Sequence, residues 1–375
     1  MRKAAAGLRG RIAPILIFSL ALFLRLFRLG LDGLGNLYYA AGVQSMLAGW
    51  HNFLFASFDP AGFVSIDKPP LGFWVQAVSV RLFGFHGWAL ILPQALAGAL
   101  STLVLYYLVK RTFGASAGLA AALILAVTPV SVATHRSNTP DGQLTLLLLL
   151  AAVCAVKAAE SGRLRWLLGA AALVGLGFNV KMLQAYLVVP ALFIFLPPPL
   201  PIFKRLGQLA LAMLVLISIS FAWPAFVDLT PASQRPYVGS TVSNHVYELA
   251  VVHNGVRRLG PIAAWLGIRA RGAPPPAVAE VYSAGAAMPA SRPISTRTWP
   301  DGGPPEVGQP GPLRLFNPQM AGQASWLLPI ALAALITGLA RSRWIQPLGR
   351  ETLFYSLWAG WLIPALFFFS YGGLI

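Results

Sequence analysis

Cysteine and acidic residues are scarce in this chain of 375 residues. Its one cysteine, Cys154, excludes an intramolecular disulfide and carries no information about the redox compartment. Charged residues make up only 10% of the sequence, whereas soluble domains carry about 25%. Since 57% of the residues are hydrophobic, the composition excludes a soluble globular protein and indicates an integral membrane protein.

The scarcity of acids leaves a large excess of basic residues. The chain has 28 lysines and arginines against 11 aspartates and glutamates, which gives a formal net charge of +17. In a soluble protein such an excess would suggest a nucleic-acid partner. Here the cations lie between apolar blocks, so membrane topology explains them and no nucleic-acid binding is expected.

Nine apolar blocks predict an all-α, multi-pass fold with about nine transmembrane helices. A helix needs about 20 residues to cross the hydrocarbon of a bilayer, and most of the blocks approach that length. Backbone groups in lipid have to be satisfied within the segment, which favours helices. The blocks are 12–29, 88–109, 114–133, 143–159, 166–179, 184–198, 207–226, 326–341 and 351–371.

The positions of lysine and arginine predict the orientation in the membrane. With the N-terminus in the cytoplasm, every predicted cytoplasmic loop is basic, as the positive-inside rule requires. The opposite loops are then 30–87, 131–142, 180–183 and 226–325. A functional site built from these loops would face the outside of the cell.

The first outer loop contains two apolar stripes at helical spacing. Tyr39, Val43 and Trp50 belong to the first stripe, and the second runs from Leu71 to Phe85 after Pro69 and Pro70. Both stripes predict helices that lie along the membrane interface. A buried pair of helices is the alternative that periodicity alone does not exclude.

The fourth outer loop changes in composition and divides the chain into three regions. Residues 271–312 are dense in proline, glycine, alanine and serine, a composition that favours a mobile insertion. Residues 1–270 are expected to form the membrane domain with the site, and residues 313–375 are expected to add further transmembrane helices.

Two carboxylates and an amine precede the second interfacial helix: Asp59, Asp67 and Lys68. Burial raises the pKa of a carboxyl group and a neighbouring lysine lowers it, a balance that suits a general base. Lys68 suits an anion such as phosphate. Two structural alternatives stay open, because Asp59 can form a turn and Asp67 can cap the helix that follows.

The second and third outer loops supply further candidates. Asp141 stands where a helix begins, so helix capping and a shared site are both open, and Arg136 lies in the same loop. Lys181 lies in a tight outer turn against the positive-inside tendency, so it either binds an anionic headgroup or reaches along the interface. The histidines have no metal-ligand spacing. The cofactor is therefore unknown, and a divalent metal near Asp141 stays open.

The motifs of these loops together resemble those of GT-C membrane glycosyltransferases. The resemblance is to the bacterial relatives of protein O-mannosyltransferases and of lipid A aminoarabinose transferases, and it extends over nearly all of the chain except the insertion. The motifs are Asn36–Ala41, His51–Phe53, Asp67–Leu71, Asn138–Asp141, Gly177–Tyr186, Phe316–Gln319 and Gln323–Trp326.

The resemblance implies a polyprenyl-phosphate sugar as donor and transfer with inversion to a hydroxyl outside the bacterial plasma membrane. The acceptor would be a protein, a lipid or a polysaccharide. Lys68 and Lys181 match lysines that face the donor phosphate, with Arg136 as a third candidate, and Asp141 matches an acid at the start of the fourth span. Substrate contacts are expected from Asn36, Tyr39, His51, Asn138, Asn179 and Gln184.

The chain departs from the family pattern in two places. Relatives carry an Asp-Glu pair where this chain has Gly35 and Asn36, so the base is expected at Asp59 or Asp67, with Asp59 preferred because Asp67 has the capping alternative. The chain also ends inside an outer loop, and we expect it to be truncated. The alternative function is a non-catalytic binder of polyprenyl phosphate, or a lipid flippase or transporter.

Overall fold

The computed structural model describes residues 2–194, 201–256, 310–344 and 348–372, and this part of the chain contains helices, turns and no β-strand. Short 3-10 helices cover Leu29–Asp32, Met182–Val188, Ala232–Gln234 and Arg314–Phe316, and π-helical turns cover Glu248–Val256 and Ala321–Ser325. The α-helices are α1 (Arg2–Leu26), α2 (Leu37–Met46), α3 (Trp50–Leu54), α4 (Leu71–Phe83), α5 (Gly87–Val127), α6 (Pro129–His135), α7 (Asp141–Ser161), α8 (Leu164–Lys181), α9 (Val189–Ile194), α10 (Ile202–Leu229), α11 (Pro318–Met320), α12 (Leu328–Arg341) and α13 (Arg350–Tyr371).

Five helical stretches in the described residues are long and apolar enough to cross a membrane. They are Gly87–Val127, Asp141–Ser161, Leu164–Ala191, Phe203–Leu229 and Arg350–Tyr371, and the shorter apolar helices are Ile12–Leu26, Leu71–Phe83 and Leu328–Arg341. The prediction of an all-α, multi-pass membrane fold is confirmed.

Two of the long stretches contain a chain reversal, so the five stretches correspond to seven predicted blocks, and the shorter helices Ile12–Leu26 and Leu328–Arg341 correspond to the other two. In α5, Gly114 has a φ of 86°, and a Cβ added to Gly118 would lie 2.9 Å from that of Lys110. The second reversal is at Met182, where φ is 44°. The rings of Phe178 and Tyr186 are 5.2 Å apart, whereas eight residues of straight helix span about 12 Å. Each predicted block thus lies on helical residues, and the sixth is described only as far as residue 194.

Small side chains line the contact between the central helices. α7 buries Ala151, Ala152 and Ala155, and α8 buries Ala170 and Ala171, each at 4% exposure or less. Close approach of helix backbones through small residues is how helices associate in lipid, where apolar burial gives little driving force. These helices form the base that positions the outer loops.

The helices predicted in the first outer loop are present, and they differ in how much of each apolar stripe is buried. The first stripe is divided between α2 and α3, and α2 buries Val43 and Met46. In α4 the predicted stripe stays open: Val78 is 52% exposed and Leu82 is 72% exposed. The opposite face of α4 is the buried one, so the apolar stripe is available to line a cleft.

The predicted insertion at 271–312 lies outside the described residues except for its last three positions. Its mobility and the three-region division of the chain therefore remain predictions.

Cations from the predicted cytoplasmic loops meet at one end of the bundle. Glu160 accepts a bidentate contact from Arg111, and Arg350 lies 3.5 Å from the same carboxylate. The ammonium of Lys157 lies 4.4 Å from the ring centroid of Trp166. Since Arg111, Lys157 and Arg350 come from three different helices, the helix ends share one basic surface, as the topology prediction requires.

The orientation can be tested by cysteine labelling in a Cys154→Ala background. Ser161 and Ser233 are both exposed, and the predicted topology puts Ser161 in the cytoplasm and Ser233 outside. In intact cells, a membrane-impermeant maleimide should label Ser233→Cys and should label Ser161→Cys only after permeabilisation. The reverse pattern would show that the predicted orientation is inverted.

Candidate active site

Five residues from separate segments line a small cavity at the outer end of the helices. They are Lys68, Lys181, Gln184, Asn254 and Phe368, around an empty volume of about 270 Å³. Lys68 precedes α4, Lys181 ends α8, Gln184 follows the reversal at Met182, and Phe368 is near the end of α13. Three residues predicted as phosphate or substrate ligands therefore meet at one place.

An ion pair joins Lys181 to Asp141 beside this cavity. The ammonium donates to Oδ1 of Asp141, and the two side chains are 24% and 28% exposed. Asp141 opens α7 and Lys181 closes α8, so each charge also suits the dipole of its own helix end. The pair fixes the ammonium at the cavity wall without removing it from solvent.

A second ion pair forms between neighbouring residues, Asp67 and Lys68. The ammonium of Lys68 lies 2.7 Å from Oδ2 of Asp67, and the side chains are only 10% and 22% exposed. The other carboxylate oxygen, Oδ1, is buried and has no hydrogen-bond partner among the described residues. A buried acceptor without a partner is costly, so this oxygen is poised to receive a proton or a ligand hydroxyl.

The structure excludes the capping alternative for Asp67. The N-cap residue of α4 is Pro70, and no side chain caps that helix. The backbone N–H of Asp67 instead donates to the hydroxyl of Tyr38 at 3.0 Å. Burial, together with the charge of Asp67, raises the pKa of Tyr38 to about 12, so Tyr38 remains a phenol at neutral pH.

Asp59 has the turn-forming role that was its structural alternative. Its two oxygens accept the backbone N–H groups of Phe63 at 3.2 Å and Val64 at 2.9 Å. Burial acts to raise the pKa of Asp59, but these backbone donors hold the pKa below its ordinary value. A low pKa and occupied oxygens make a weak base, so the geometry favours Asp67 over Asp59, and the identity of the base stays a prediction.

Asn36 and Asn138 lock the first outer loop to the second. The N–H of Asn36 donates to Oδ1 of Asn138 at 2.7 Å, and Nδ2 of Asn138 donates back to the carbonyl of Asn36 at 3.0 Å. Gly35 has a φ of 69°, and a Cβ there would lie 2.7 Å from Asn138 Oδ1. Position 35 therefore cannot carry an acid unless Asn138 moves, and both asparagines act on the loops rather than lining the cavity.

Two other residues that were predicted to bind phosphate or substrate, Arg136 and Asn179, instead bond to other segments of this protein. Arg136 lies 2.7 Å from Asp32 and donates to carbonyls at the end of α1, including that of Phe27 at 2.8 Å. The amide of Asn179 donates to the carbonyls of Gly175 and Ile219, which joins α8 to α10. Both side chains therefore have structural roles, and the contacts of Arg136 with phosphate and of Asn179 with substrate stay predictions.

Tyr39 and His51 are not among the residues that line the cavity. The ring of Tyr39 packs against Phe73 with centroids 4.9 Å apart. His51 is exposed, and its Nε2 lies 3.2 Å from the carbonyl oxygen of Gln234. The contacts of both residues with substrate stay predictions.

Sequence reasoning missed Tyr38, Asn254 and Phe368. Tyr38 stands inside a motif that was recognised, next to Tyr39, and its hydroxyl could have been considered there. Asn254 and Phe368 come from segments far from the motifs, and no spacing in the sequence connects them with Lys68.

An open apolar cleft adjoins the two ion pairs and has an empty volume of about 1220 Å³. Among its lining residues, Leu71 follows Lys68 by three positions, Gln143 follows Asp141 by two, and Val180 precedes Lys181. The exposed stripe of α4 forms one wall, and the cleft is lined by Leu71, Val75, Val78, Ser79, Leu82, Phe83, Leu92, Pro93, Leu96, Ala97, Leu100, Gln143, Leu146, Leu147, Leu176 and Val180. The cleft therefore lies next to the segments that carry the charged groups.

Within the described ranges, no three histidine, cysteine, aspartate or glutamate side chains come together as metal ligands. This part of the chain thus offers no set of ligands for a metal near Asp141.

Comparisons with known proteins agree with this architecture. The family model described as "Dolichyl-phosphate-mannose-protein mannosyltransferase" matches residues 67–223. Two proteins of Bacillus subtilis (strain 168) are each 38% identical over 96% of this chain: "Putative mannosyltransferase YycA" and "Putative mannosyltransferase YkcB". The chain spans about 60% of the length of the first relative and 58% of the second.

A solved structure shares the fold. The crystal structure of ArnT from Cupriavidus metallidurans bound to undecaprenyl phosphate aligns with a TM-score of 0.58 and 18% identity, and the alignment covers 98% of this chain and 56% of that one. The chain is thus similar in sequence to a mannosyltransferase family and to two putative mannosyltransferases, and it shares the helical membrane fold of ArnT.

Proposed function

We propose that this protein transfers a sugar from a polyprenyl-phosphate donor to an acceptor hydroxyl outside the cell, with inversion at the anomeric carbon. The observation that carries the proposal is the position of Lys68 and Lys181 on one cavity, at the end of an apolar cleft. An amphiphile with a phosphate at one end of a long isoprenoid chain matches both features.

The cleft suits the isoprenoid tail, because its walls are almost entirely apolar and it is open at the surface of the helices. The tail would lie between α4 and the first arm of α5, with its phosphate directed to the lysines. ArnT, whose fold this chain shares, was solved with undecaprenyl phosphate bound. That structure supports a polyprenyl phosphate as the lipid partner.

The charged groups suit the chemistry of a displacement at the anomeric carbon. Asp67 takes the proton of the acceptor hydroxyl, the hydroxyl oxygen attacks the anomeric carbon, and the bond between sugar and phosphate breaks. The two ammonium groups stabilise the negative charge that develops on the departing phosphate. A single displacement of this kind inverts the configuration. Asp141 holds Lys181 in place, which makes it a positioning residue for the phosphate.

The sugar is proposed to be mannose or another hexose or pentose, in line with the names of the two Bacillus subtilis relatives. The acceptor would be a protein, a lipid or a polysaccharide of the cell envelope. A transporter or flippase is disfavoured because the two ion pairs lie at one end of the described helices, whereas carriers bind near the middle of the bilayer.

Replacing the base separates Asp67 from Asp59. Asp67→Asn should lower the rate of transfer by about 10²- to 10⁴-fold, the usual contribution of a general base, and should leave binding of the donor intact. Asp59→Asn should keep the rate and lower thermal stability, since its oxygens hold a turn. The readout is release of polyprenyl phosphate from polyprenyl-phosphate mannose, with bacterial membranes as the acceptor source.

The opposite result, a fully active Asp67→Asn and an inactive but folded Asp59→Asn, would refute this assignment. If the wild-type protein binds the donor but releases no polyprenyl phosphate, it is a non-catalytic binder. A non-catalytic binder is the alternative because this chain has Gly35 where the family pattern has an acid.

Removing either lysine should weaken binding of undecaprenyl phosphate. A hydrogen bond to a charged group is worth about 1.5–3 kcal/mol, so Lys68→Met and Lys181→Met should each cost roughly 10- to 100-fold in affinity. Lys204→Met, which removes an exposed cation elsewhere, is the matched control. The double variant Lys181→Met/Asp141→Asn separates loss of the ammonium from exposure of an unpaired carboxylate. Equal losses in Lys204→Met and the other two single variants would refute a specific site.

Filling the apolar cleft should discriminate between donors by tail length. Val78 lies in the cleft at 52% exposure, and Val78→Trp would displace part of an isoprenoid chain. The KM for an undecaprenyl donor should rise roughly tenfold, the effect of losing about two buried CH₂ groups, while a donor with a short tail should be unaffected. Val242→Trp, at an exposed valine outside the cleft, is the control. A similar rise for both donors would place the tail elsewhere.

A further inference from the structure

A second open cleft lies between α12 and α13, with an empty volume of about 1840 Å³. Arg350 lines it at the first residue of α13, whereas Phe368 of the Lys68 cavity is near the other end of the same helix. Eighteen residues of α-helix span about 27 Å. The two sites therefore lie at opposite ends of the bundle, and the second is independent of the proposed sugar transfer.

The mouth of this cleft is strongly basic. Arg341, Arg343 and Arg350 all line it, and Glu351 is the only acid among the lining residues. Arg341 and Arg343 are exposed and form no salt bridge with any described residue. Arg350 shares Glu160 with Arg111 at 3.5 Å and is itself 67% exposed. The three guanidinium groups thus leave positive charge available to an anion.

The wall of the cleft on the N-terminal half of α12 is apolar. Ile330, Ala333 and Ala334 line it on α12, and Ile330 is 70% exposed. Ile330 precedes Arg341 by eleven residues, which is about 16 Å along a helix. A basic end and an apolar end of the cleft at that separation match one amphiphilic molecule with an anionic headgroup.

The helix packing gives the cleft a defined shape. A Cβ at Gly338 would lie 2.2 Å from the ring of Tyr355, so the glycine allows α12 and α13 to touch beneath the arginines. The hydroxyl of Thr352 donates to the carbonyl of Arg343 at 3.3 Å and holds the segment after α12 in position. Trp344, beside Arg343, is 58% exposed, as expected for a residue at headgroup depth.

We propose that this cleft binds an anionic glycerophospholipid, whose phosphate contacts Arg341 and Arg343 and whose acyl chain lies along Ile330. Basic pockets between helices at the cytoplasmic ends of membrane proteins bind such headgroups. The positive-inside rule alone accounts for arginines near a helix end. It does not require that they converge on a cleft with an exposed apolar wall.

The experiment compares lipid binding by the purified full chain in a neutral detergent. Native mass spectrometry measures bound phosphatidylglycerol and phosphatidylcholine with identical acyl chains, for the wild type, Arg341→Gln/Arg343→Gln and the control Arg163→Gln/Arg165→Gln. The control removes the same charge at the same end of the bundle, outside the cleft. The wild type should prefer phosphatidylglycerol, and the first variant should bind it about 30-fold more weakly, which is the effect of about 1 kcal/mol for each of two cations.

Three results would overturn the proposal. They are equal binding of the two lipids, equal losses in the two variants, and complete competition by glycerol phosphate at the same concentration as the lipid, which would identify a site for free phosphate. If Arg341→Gln/Arg343→Gln does not fold, Arg341→Lys/Arg343→Lys replaces it. That variant keeps the charge and loses the paired guanidinium contacts, so its binding of phosphatidylglycerol should fall only in part. Ile330→Asp, which blocks the acyl chain, should lower the binding of phosphatidylglycerol by more, after subtraction of the loss seen in the Arg163→Gln/Arg165→Gln control.

Discussion

Pairing of the few carboxylates with cations is the constraint on which the rest of this structure depends. A charge at membrane depth is expensive unless it has a partner, and four of the described acids are paired with lysine or arginine. Asp32 pairs with Arg136, Asp67 with Lys68, Asp141 with Lys181, and Glu160 with Arg111 and Arg350. Each pair lies near a helix end, and three of them join segments that are far apart in the sequence.

The ion pairs at the outer end also define the chemistry available there. Asp141 holds one ammonium on the cavity, and Asp67 holds the other while keeping one oxygen without a partner. An arrangement of this kind has low net charge when empty, so it can be assembled at the membrane surface at modest cost. In the proposed transfer, a phosphate competes with Asp67 for Lys68, so the carboxylate of Asp67 would be released to accept a proton.

Contacts between loops hold the charged side chains of the cavity in place as much as helix packing does. The reciprocal hydrogen bonds between Asn36 and Asn138 tie the first outer loop to the second, and Gly35 is small enough to permit that contact. The departure from the family pattern at positions 35 and 36 therefore has a physical consequence. The space that an acidic side chain would need at position 35 is filled by Asn138, and the remaining carboxylate at the cavity is supplied from the segment before α4.

The sequence by itself determined the membrane class, the nine helical blocks and the clustering of acids and lysines in the outer loops. It could do so because lipid imposes length, composition and charge rules that act locally along the chain. Only the tertiary structure distinguished the surroundings of Asp59 and Asp67, since both have the same chemistry and differ in which backbone groups surround them. It also assigned Arg136 and Asn179 to helix packing and brought Asn254 and Phe368 to Lys68, because contacts between remote segments depend on how helices pack and leave no periodic signal in the sequence.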